Sequence, residues 1–447
     1  MNAPSRTQPG WQRGFWSLIV VQCQGAFSDN ALKNLVIFLI LGMGLPEGTR
    51  NALVPVVGAL FAVPFILFSM MGGWLADRLS KRTVTRGIKV FELGIMLFAA
   101  AGLGLRNLYM QLAAVFLMGV HSAMFGPSKY GLLPELLPLE KLSWGNGILE
   151  LGTFVAIITG TMAGAFLSEH FAGMQYWSGL MLAALAIVGF FLSHGITPVS
   201  AAAPDKKFRP NFIAELWGQT KIMQKDKALW LANCGNTWFF FLAALLQMNL
   251  FIHARDALHL TETRSGLLQA MLAIGIGVGS AVAGFASRGR IEYGLIPLGT
   301  IGLAVSGAAL AWPGLGPVAC ACWLVVLGFS GGFFIVPVSA LLQHRPAPDN
   351  KGGILAASNL MSFIGIFLAS GVDYVLASVL HLGPRAVFLF CAVITAITAG
   401  LIIGERPAAL PGFVRRTFHF REGRSGAGTI RGGGEHPIVA REDATSF

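Results

Sequence analysis

Gly73-Trp-Leu-Ala-Asp77-Arg78-Leu-Ser-Lys81-Arg82 closes one long apolar stretch and opens the next. Upstream, residues 51–76 contain no charged side chain; downstream, 87–105 are again mostly apolar after Arg86. A helix crosses the hydrocarbon core with roughly 20 mostly apolar residues, so two such runs joined by a tight basic turn read as a membrane hairpin. The pattern continues in both directions, giving apolar segments at 15–41, 51–76, 87–105, 108–130, 144–167 and 175–193, then 229–252, 265–286, 292–311, 315–342, 352–379 and 385–403. A chain of 447 residues that is 54% hydrophobic and 12% charged exceeds what one soluble core can hide. The fold class is therefore an all-α integral membrane protein of about twelve transmembrane helices in two six-helix bundles.

The charge placement excludes the partner that a net charge of +11 suggests at first sight, nucleic acid. With both termini inside, the inner loops carry clusters such as Arg78, Lys81, Arg82 and Arg86, and Lys206, Lys207 and Arg209, while the outer loops hold only Arg50, Arg106, Arg255, Arg264 and Arg385. That asymmetry is the positive-inside rule, and it predicts cytoplasmic ends and an even helix count. The first apolar segment follows Arg6 and Arg13 and runs through Asp29 and Lys33 with no small-residue cleavage site, so it reads as a retained helix. The five cysteines, Cys23, Cys234, Cys320, Cys322 and Cys391, all fall in apolar segments without metal-ligand spacing. No metal and no cofactor is expected.

The chain divides into an N-terminal bundle at 1–193, a polar, lysine-rich linker at 194–228, a C-terminal bundle at 229–404, and a Gly- and Arg-rich tail at 405–447 that cannot bury a core. The halves echo one another: Gly284-Phe-Ala-Ser-Arg288-Gly-Arg290 occupies the place in the second half that the Gly73 turn occupies in the first. In the first copy Gly73 permits close helix approach, Asp77 can cap a neighbouring helix end, and Arg78, Lys81 and Arg82 can pair with acidic groups. These five residues are the expected gate latch; setting topology alone is the simpler alternative.

An ionisable side chain in the bilayer costs about 2.5–3.5 kcal/mol on insertion scales, so each should have a partner or a task. In the first helix Gln22, Gly25, Ala26, Asp29 and Lys33 share a face, with Asn30 and Asn34 beside it. Asp29 and Lys33, four apart, could simply neutralise one another; the preferred reading is a polar stripe facing a central cavity. Asn146, Glu150 and Thr153 form a second stripe on the fifth helix, followed by Gly160-x-x-x-Gly164. Glu92 has a local partner in Lys89, and His121 reads as a packing histidine. The seventh segment supplies Asn233, Asn236, Gln247 and Asn249 but no charge, so charged candidates concentrate in the first half, which suits a substrate with a polar head and an apolar body.

The two six-helix sets and the Gly-x-x-x-Asp-Arg-x-x-Lys-Arg turn resemble the major facilitator superfamily, which implies two bundles rocking about a midplane site. Three further stretches, Phe27-Ser-Asp29-Asn30-Ala-Leu, Gly126-Pro-Ser-Lys129-Tyr-Gly-Leu-Leu-Pro-Glu135-Leu with Asn146-Gly-Ile-Leu-Glu150, and Gly331-Gly-Phe-Phe-Ile-Val-Pro337 through Gln343, resemble the bacterial lysophospholipid transporter family over about residues 15–403. That resemblance implies inward flipping of lysophospholipids, chiefly lysophosphatidylethanolamine, across the bacterial inner membrane for reacylation, by a monomer with a functional link to an acyltransferase. It assigns substrate contact to Asp29, Asn30, Lys129 and Glu150. With Lys33, Asn146, Gln247 and Asn249 from the stripes, these form the expected binding set. The chain departs from the family in one respect: the arginine that relatives carry in the seventh helix is absent from Phe239 to Phe251. A proton-coupled exporter of drugs or small amphipathic solutes using Asp29 and Glu150 is the alternative. An acyltransferase within this chain is not expected, because His344-x4-Asp349 and Pro46-Glu47-Gly48-Thr49-Arg50 fall on opposite sides of the membrane.

Overall fold

The computed structural model of the chain describes residues 11–43, 46–260, 262–405 and 411, so the basic tail and the first ten residues lie outside the described residues. Twelve helices fall on the twelve apolar segments. In the first half they are α1 (Trp11–Gly42), α2 (Glu47–Arg78), α3 (Lys81–Gly104), α4 (Leu108–Leu136), α5 (Leu142–His170) and α6 (Tyr176–Ser193). After a linker helix, α7 (Phe212–Gln224), the second half contains α8 (Lys227–Ile252), α9 (Glu262–Ala286), α10 (Leu295–Leu310), α11 (Pro317–His344), α12 (Lys351–Tyr374) and α13 (Pro384–Glu405). Eleven helices among the described residues are long and apolar enough to cross a bilayer; α10, at 16 residues, rises only about 24 Å.

Each half uses the same pairing. α1 packs on α5, α2 on α4 and α3 on α6; correspondingly α8 packs on α12, α9 on α11 and α10 on α13. The echo seen in the two basic turns is thus an echo of the whole half. The halves meet along two seams, α5 against α9 and α2 against α12. Separate apolar cores fill them, one around Leu35, Met96 and Met118, the other around Phe334, Leu245 and Phe388.

Two expectations change. The 194–228 linker is not simply a polar loop: Asn211 accepts a hydrogen bond from the Ala214 amide at 3.0 Å and starts α7, whose buried residues Gln219, Thr220 and Met223 lie against the bundle. Asp226 then caps α8, accepting from the amides of Ala228 and Leu229 at 3.0 and 3.1 Å. The fourth helix also runs six residues past its predicted end at 130, to Leu136, with Pro127 and Pro134 inside it. Burial of Leu132, Leu133 and Leu136 against the bundle carries the helix past Pro134 despite the backbone hydrogen bond that proline removes.

Candidate transport site and gate

The end of the molecule that carries the linker is closed by contacts between the halves. Asp77, fully buried in the last turn of α2, accepts hydrogen bonds from the amides of Gly352 and Gly353 at 2.6 and 3.0 Å. Those amides are unsatisfied donors of the first turn of α12, so the carboxylate caps a helix in the opposite half and meets the positive end of its dipole. Lys206, from the linker, completes the arrangement by donating to Asp77 Oδ2 and to Asn350 Oδ1, both at 2.7 Å. Gly73, one turn earlier, is required by the approach itself, since a Cβ there would stand 2.5 Å from Ala356 Cβ and 2.6 Å from the Gly352 carbonyl oxygen. The degenerate second copy keeps this role at Gly284, where a Cβ would meet the Ser143 carbonyl oxygen and Trp144 Cα at 3.0 Å.

The cations of the turn behave differently from the sequence expectation. Lys81 does find an acid, pairing with Glu135 at 2.6 Å, but within its own half. Arg78 lies over the Trp74 ring at 5.1 Å, and Arg82 donates to the His194 carbonyl at 3.1 Å. Neither pairs with a carboxylate in the described structure, because Asp77 is already occupied by backbone amides and Lys206.

Asn146 belongs to this closure as well. It exchanges reciprocal amide hydrogen bonds with Gln343 of α11, at 3.0 and 2.7 Å, both residues being buried. In this conformation, then, Asn146 gives its amide oxygen to the opposite half and its NH2 to Gln343 and to the Leu142 carbonyl of its own helix, at 3.0 Å each. Ser143 donates to the Arg290 carbonyl at 3.1 Å and Asn359 to Ser69 at 3.2 Å. Among the described residues, the hydrogen bonds joining the two halves all lie toward the linker end.

Deeper in the first half the ionisable groups separate into a sealed set and a reachable set. In the sealed set Lys89 Nζ donates to Glu92 Oε2 at 2.7 Å and to Gln24 Oε1 at 2.6 Å, while Gln24 Nε2 donates to Glu92 Oε1 at 2.7 Å. The expected local partnership of Lys89 and Glu92 is present, and it is fully buried. Gln24, which sequence reasoning did not single out, closes the triangle. His121 is more than a packing residue by position: Nε2 is 3.5 Å from Glu92 Oε2 and Nδ1 is 4.0 Å from Asp29 Oδ1, linking the two sets.

The reachable set contains Asp29, Asn30, Lys33, Lys129 and Glu150, all partly exposed. Asp29 Oδ2 accepts from Ser122 at 2.6 Å, whereas its buried Oδ1 has no hydrogen-bond partner. The Asp29/Lys33 ion pair that the spacing allows does not form. Lys33 instead donates to Asn30 Oδ1 at 3.2 Å and lies 5.3 Å from the centre of the Phe61 ring. Glu150 accepts from Tyr130 at 3.4 Å, and Lys129 stands 4.5 Å over the same ring. In the second half Gln247 is exposed, but Asn249 is buried and donates to the Pro384 carbonyl at 2.9 Å, which ties α8 to the start of α13. Asn249 thus acts as a connector in this conformation, while Gln247 remains accessible. Asn236 bonds to Ser358 and Ser362 on α12 at 3.3 and 2.8 Å.

Two repeated six-helix halves, a capped seam at one end and ionisable groups concentrated in the first half give a polytopic protein the architecture of an alternating-access carrier. The family model for the Major Facilitator Superfamily matches residues 23–370, and the chain belongs to that superfamily. It is 29% identical over 422 residues to the Lysophospholipid transporter LplT of Klebsiella pneumoniae subsp. pneumoniae, covering 91% of this chain and 100% of that one. Against the protein of the same name from Photorhabdus laumondii it is 28% identical over 379 residues, covering 83% and 90%. Among solved structures, the human organic anion transporter MFSD10 superposes with a TM-score of 0.68 at 15% identity, over 88% of this chain and 100% of that one, a likeness of fold.

Proposed function

We propose that this protein is a secondary transporter that flips lysophospholipids, of the lysophosphatidylethanolamine type, inward across the bacterial inner membrane. The observation that carries the proposal is the one-sided polar lining. Asp29, Lys33, Lys129 and Glu150, all partly exposed, offer both signs of charge from the first half, while Gln247 on α8 and Asn359 on α12, accessible polar side chains of the second half, are neutral. A zwitterionic head needs an anion for its ammonium and a cation for its phosphate; a single acyl chain needs an uncharged wall. Asp29 or Glu150 would take the ammonium and Lys129 the phosphate. The relatives named lysophospholipid transporter LplT support the same substrate class.

The topology in this proposal places both termini and the linker in the cytoplasm, as the basic loops require. The capped linker end is then a closed inner gate, and Gly73, Asp77 and Lys206 hold the outward-open half of the cycle, with Lys81 bracing the first half beside them. Delivery to the inner leaflet is the entry point for reacylation by a separate acyltransferase, and the protein acts as a monomer without cofactor or metal.

Spheroplasts lacking their own lysophospholipid flippase, with and without this protein, test the proposal by uptake of labelled lysophosphatidylethanolamine. Restored uptake is expected; a normally expressed protein that restores none overturns the substrate assignment. One observation favours a second reading, proton-coupled export of small amphipathic solutes: the unpartnered buried oxygen of Asp29 stands beside His121. Solute efflux that collapses with the proton gradient, in vesicles that do not flip lysolipid, would establish that reading instead.

A further inference from the structure

We propose that the linker is a docking surface for anionic phospholipid of the leaflet on its own side, and that this contact reinforces the gate latch. The linker presents both components of an interfacial lipid contact. Its cations are Lys206, Lys207, Arg209, Lys221, Lys225 and Lys227, against Asp205, Glu215 and Asp226. Its apolar groups are outward-facing: Ile213 is 66% exposed, Trp217 62% and Phe208 46%. On α7, Ile213, Trp217 and Lys221 succeed one another at four-residue intervals along one flank, while Gln219, Thr220 and Met223 bury the other. Lys221 stands 5.5 Å over the Trp217 ring, the arrangement in which an aromatic ring sits at headgroup depth and an ammonium reaches past it.

The depth is right for a membrane surface. α7 ends at Gln224 and α8, a spanning helix, begins at Lys227, so the end of α7 lies within about 11 Å of the start of a membrane span. On the other side Phe208 packs edge-on against Trp74, in the last turns of α2, with ring centroids 5.0 Å apart. A cleft at that point is walled by Met70, Trp74 and Phe208 and rimmed by Lys207 and Arg209. Lys207 is exposed and makes no ion pair among the described residues, and Arg209 reaches only Glu215, at 3.5 Å. The cleft itself has room for little more than a water, but the apolar surface around it, flanked by exposed Lys207 and by Arg209 with Glu215 as the acid at its edge, suits the glycerol region and phosphate of a diacyl anionic lipid lying against it.

The same segment holds the gate. Besides Lys206 on Asp77, Gln219 of α7 and Asn350 exchange amide hydrogen bonds at 3.1 and 2.6 Å, so α7 is fastened to the turn that precedes α12. Lipid that immobilises α7 therefore immobilises the latch. The inference rests on the proposed topology but not on the transported substrate, because the lipid it names is a diacyl component of the bilayer.

Backbone hydrogen exchange of the full-length protein in nanodiscs of phosphatidylcholine, and of phosphatidylcholine rich in phosphatidylglycerol, tests it. Residues 207–224 and 350–356 should exchange more slowly with phosphatidylglycerol present. The K207Q/R209Q/K221Q variant should lose at least tenfold in apparent affinity for phosphatidylglycerol, given about a fivefold factor per cation near an anionic leaflet. Equal exchange of the wild-type protein in the two lipids overturns the proposal, and that comparison requires no variant to fold. Loss of the protection on adding excess inorganic phosphate would also overturn it, by showing a site for free phosphate and not a membrane contact.

Discussion

Asp77→Asn should open the linker end. In the structure this carboxylate accepts from two backbone amides of α12 and from Lys206, with no exposed surface. Asparagine is nearly isosteric but offers one acceptor oxygen, and its NH2 must face either the Gly352 N–H, in the place of Oδ1, or both the Gly353 N–H and the Lys206 ammonium, in the place of Oδ2. Hydrogen bonds to a charged group contribute roughly 1.5–3 kcal/mol each, and the contact of an anion with a helix N-terminus adds to that. A net loss of about 2–3 kcal/mol, confined to the closed arrangement, changes the ratio of closed to open molecules by roughly 30- to 150-fold. Spin labels at Leu79 and Ala347, exposed positions on opposite halves near the latch, report it in a cysteine-free background. The distance distribution should gain a longer population in the variant, with thermal stability little changed because each half keeps its own core. An unchanged distribution would refute the assignment of Asp77 as a cap across the seam.

Three further outcomes follow from the same contacts. Asn146→Ala should destabilise the closed form by about 1–3 kcal/mol by orphaning buried Gln343, whereas the N146L/Q343L pair should cost less than the sum of the single changes; a double-mutant cycle in the spin-label assay measures the coupling. Asp29→Asn and Glu150→Gln should each abolish lysolipid uptake while leaving the melting temperature within a few degrees, since neither residue has an ion-pair partner in its own helix; an Asp29→Asn protein that unfolds early but still transports would return the residue to a structural role. Asp226 opposes Arg345, at 2.9 Å. Burial tends to raise its pKa, but hydrogen bonds from Arg345 and the Leu229 amide outweigh it and leave the carboxyl below its ordinary 3.8. A carboxyl lowered on folding stabilises above the unfolded value, and the contribution is lost as pH falls through the folded one. The difference in stability between wild type and Arg345→Gln should be small at neutral pH, about 0–1 kcal/mol for a partly exposed pair, and vanish as pH falls below 3.8 through the lowered folded value.

The spanning helices were legible because bilayer thickness imposes a length and a hydropathy that any reader can count, and the basic turn was legible because its spacing places Gly73 and Asp77 one turn apart on one face. The linker helix was less visible. Asn211 as a cap, Glu215 in the first turn and Lys221 in the last are ordinary helix signals, with Phe212, Leu216, Gln219 and Met223 at helical spacing. They were hidden by the preceding Pro- and Ala-rich stretch and by the expectation that a polar linker is a loop. Within the site, spacing offered several partners and did not say which one wins. Lys33 prefers Asn30 and the Phe61 ring to Asp29, and Arg78 prefers Trp74 to an acid. The Asn146–Gln343 pair joins residues 197 positions apart, and the Gln24–Lys89–Glu92 triangle depends on how α1 meets α3, so no pattern within one helix reveals either.

The measurement that bears most directly on the whole account is flipping by the purified protein in proteoliposomes, comparing labelled lysophosphatidylethanolamine with a diacyl phosphatidylethanolamine carrying the same label. The account predicts protein-dependent movement of the lysolipid between leaflets, little for the diacyl lipid, and neither for the Glu150→Gln protein. Equal rates for all three, or no movement by a folded wild-type protein, would contradict it.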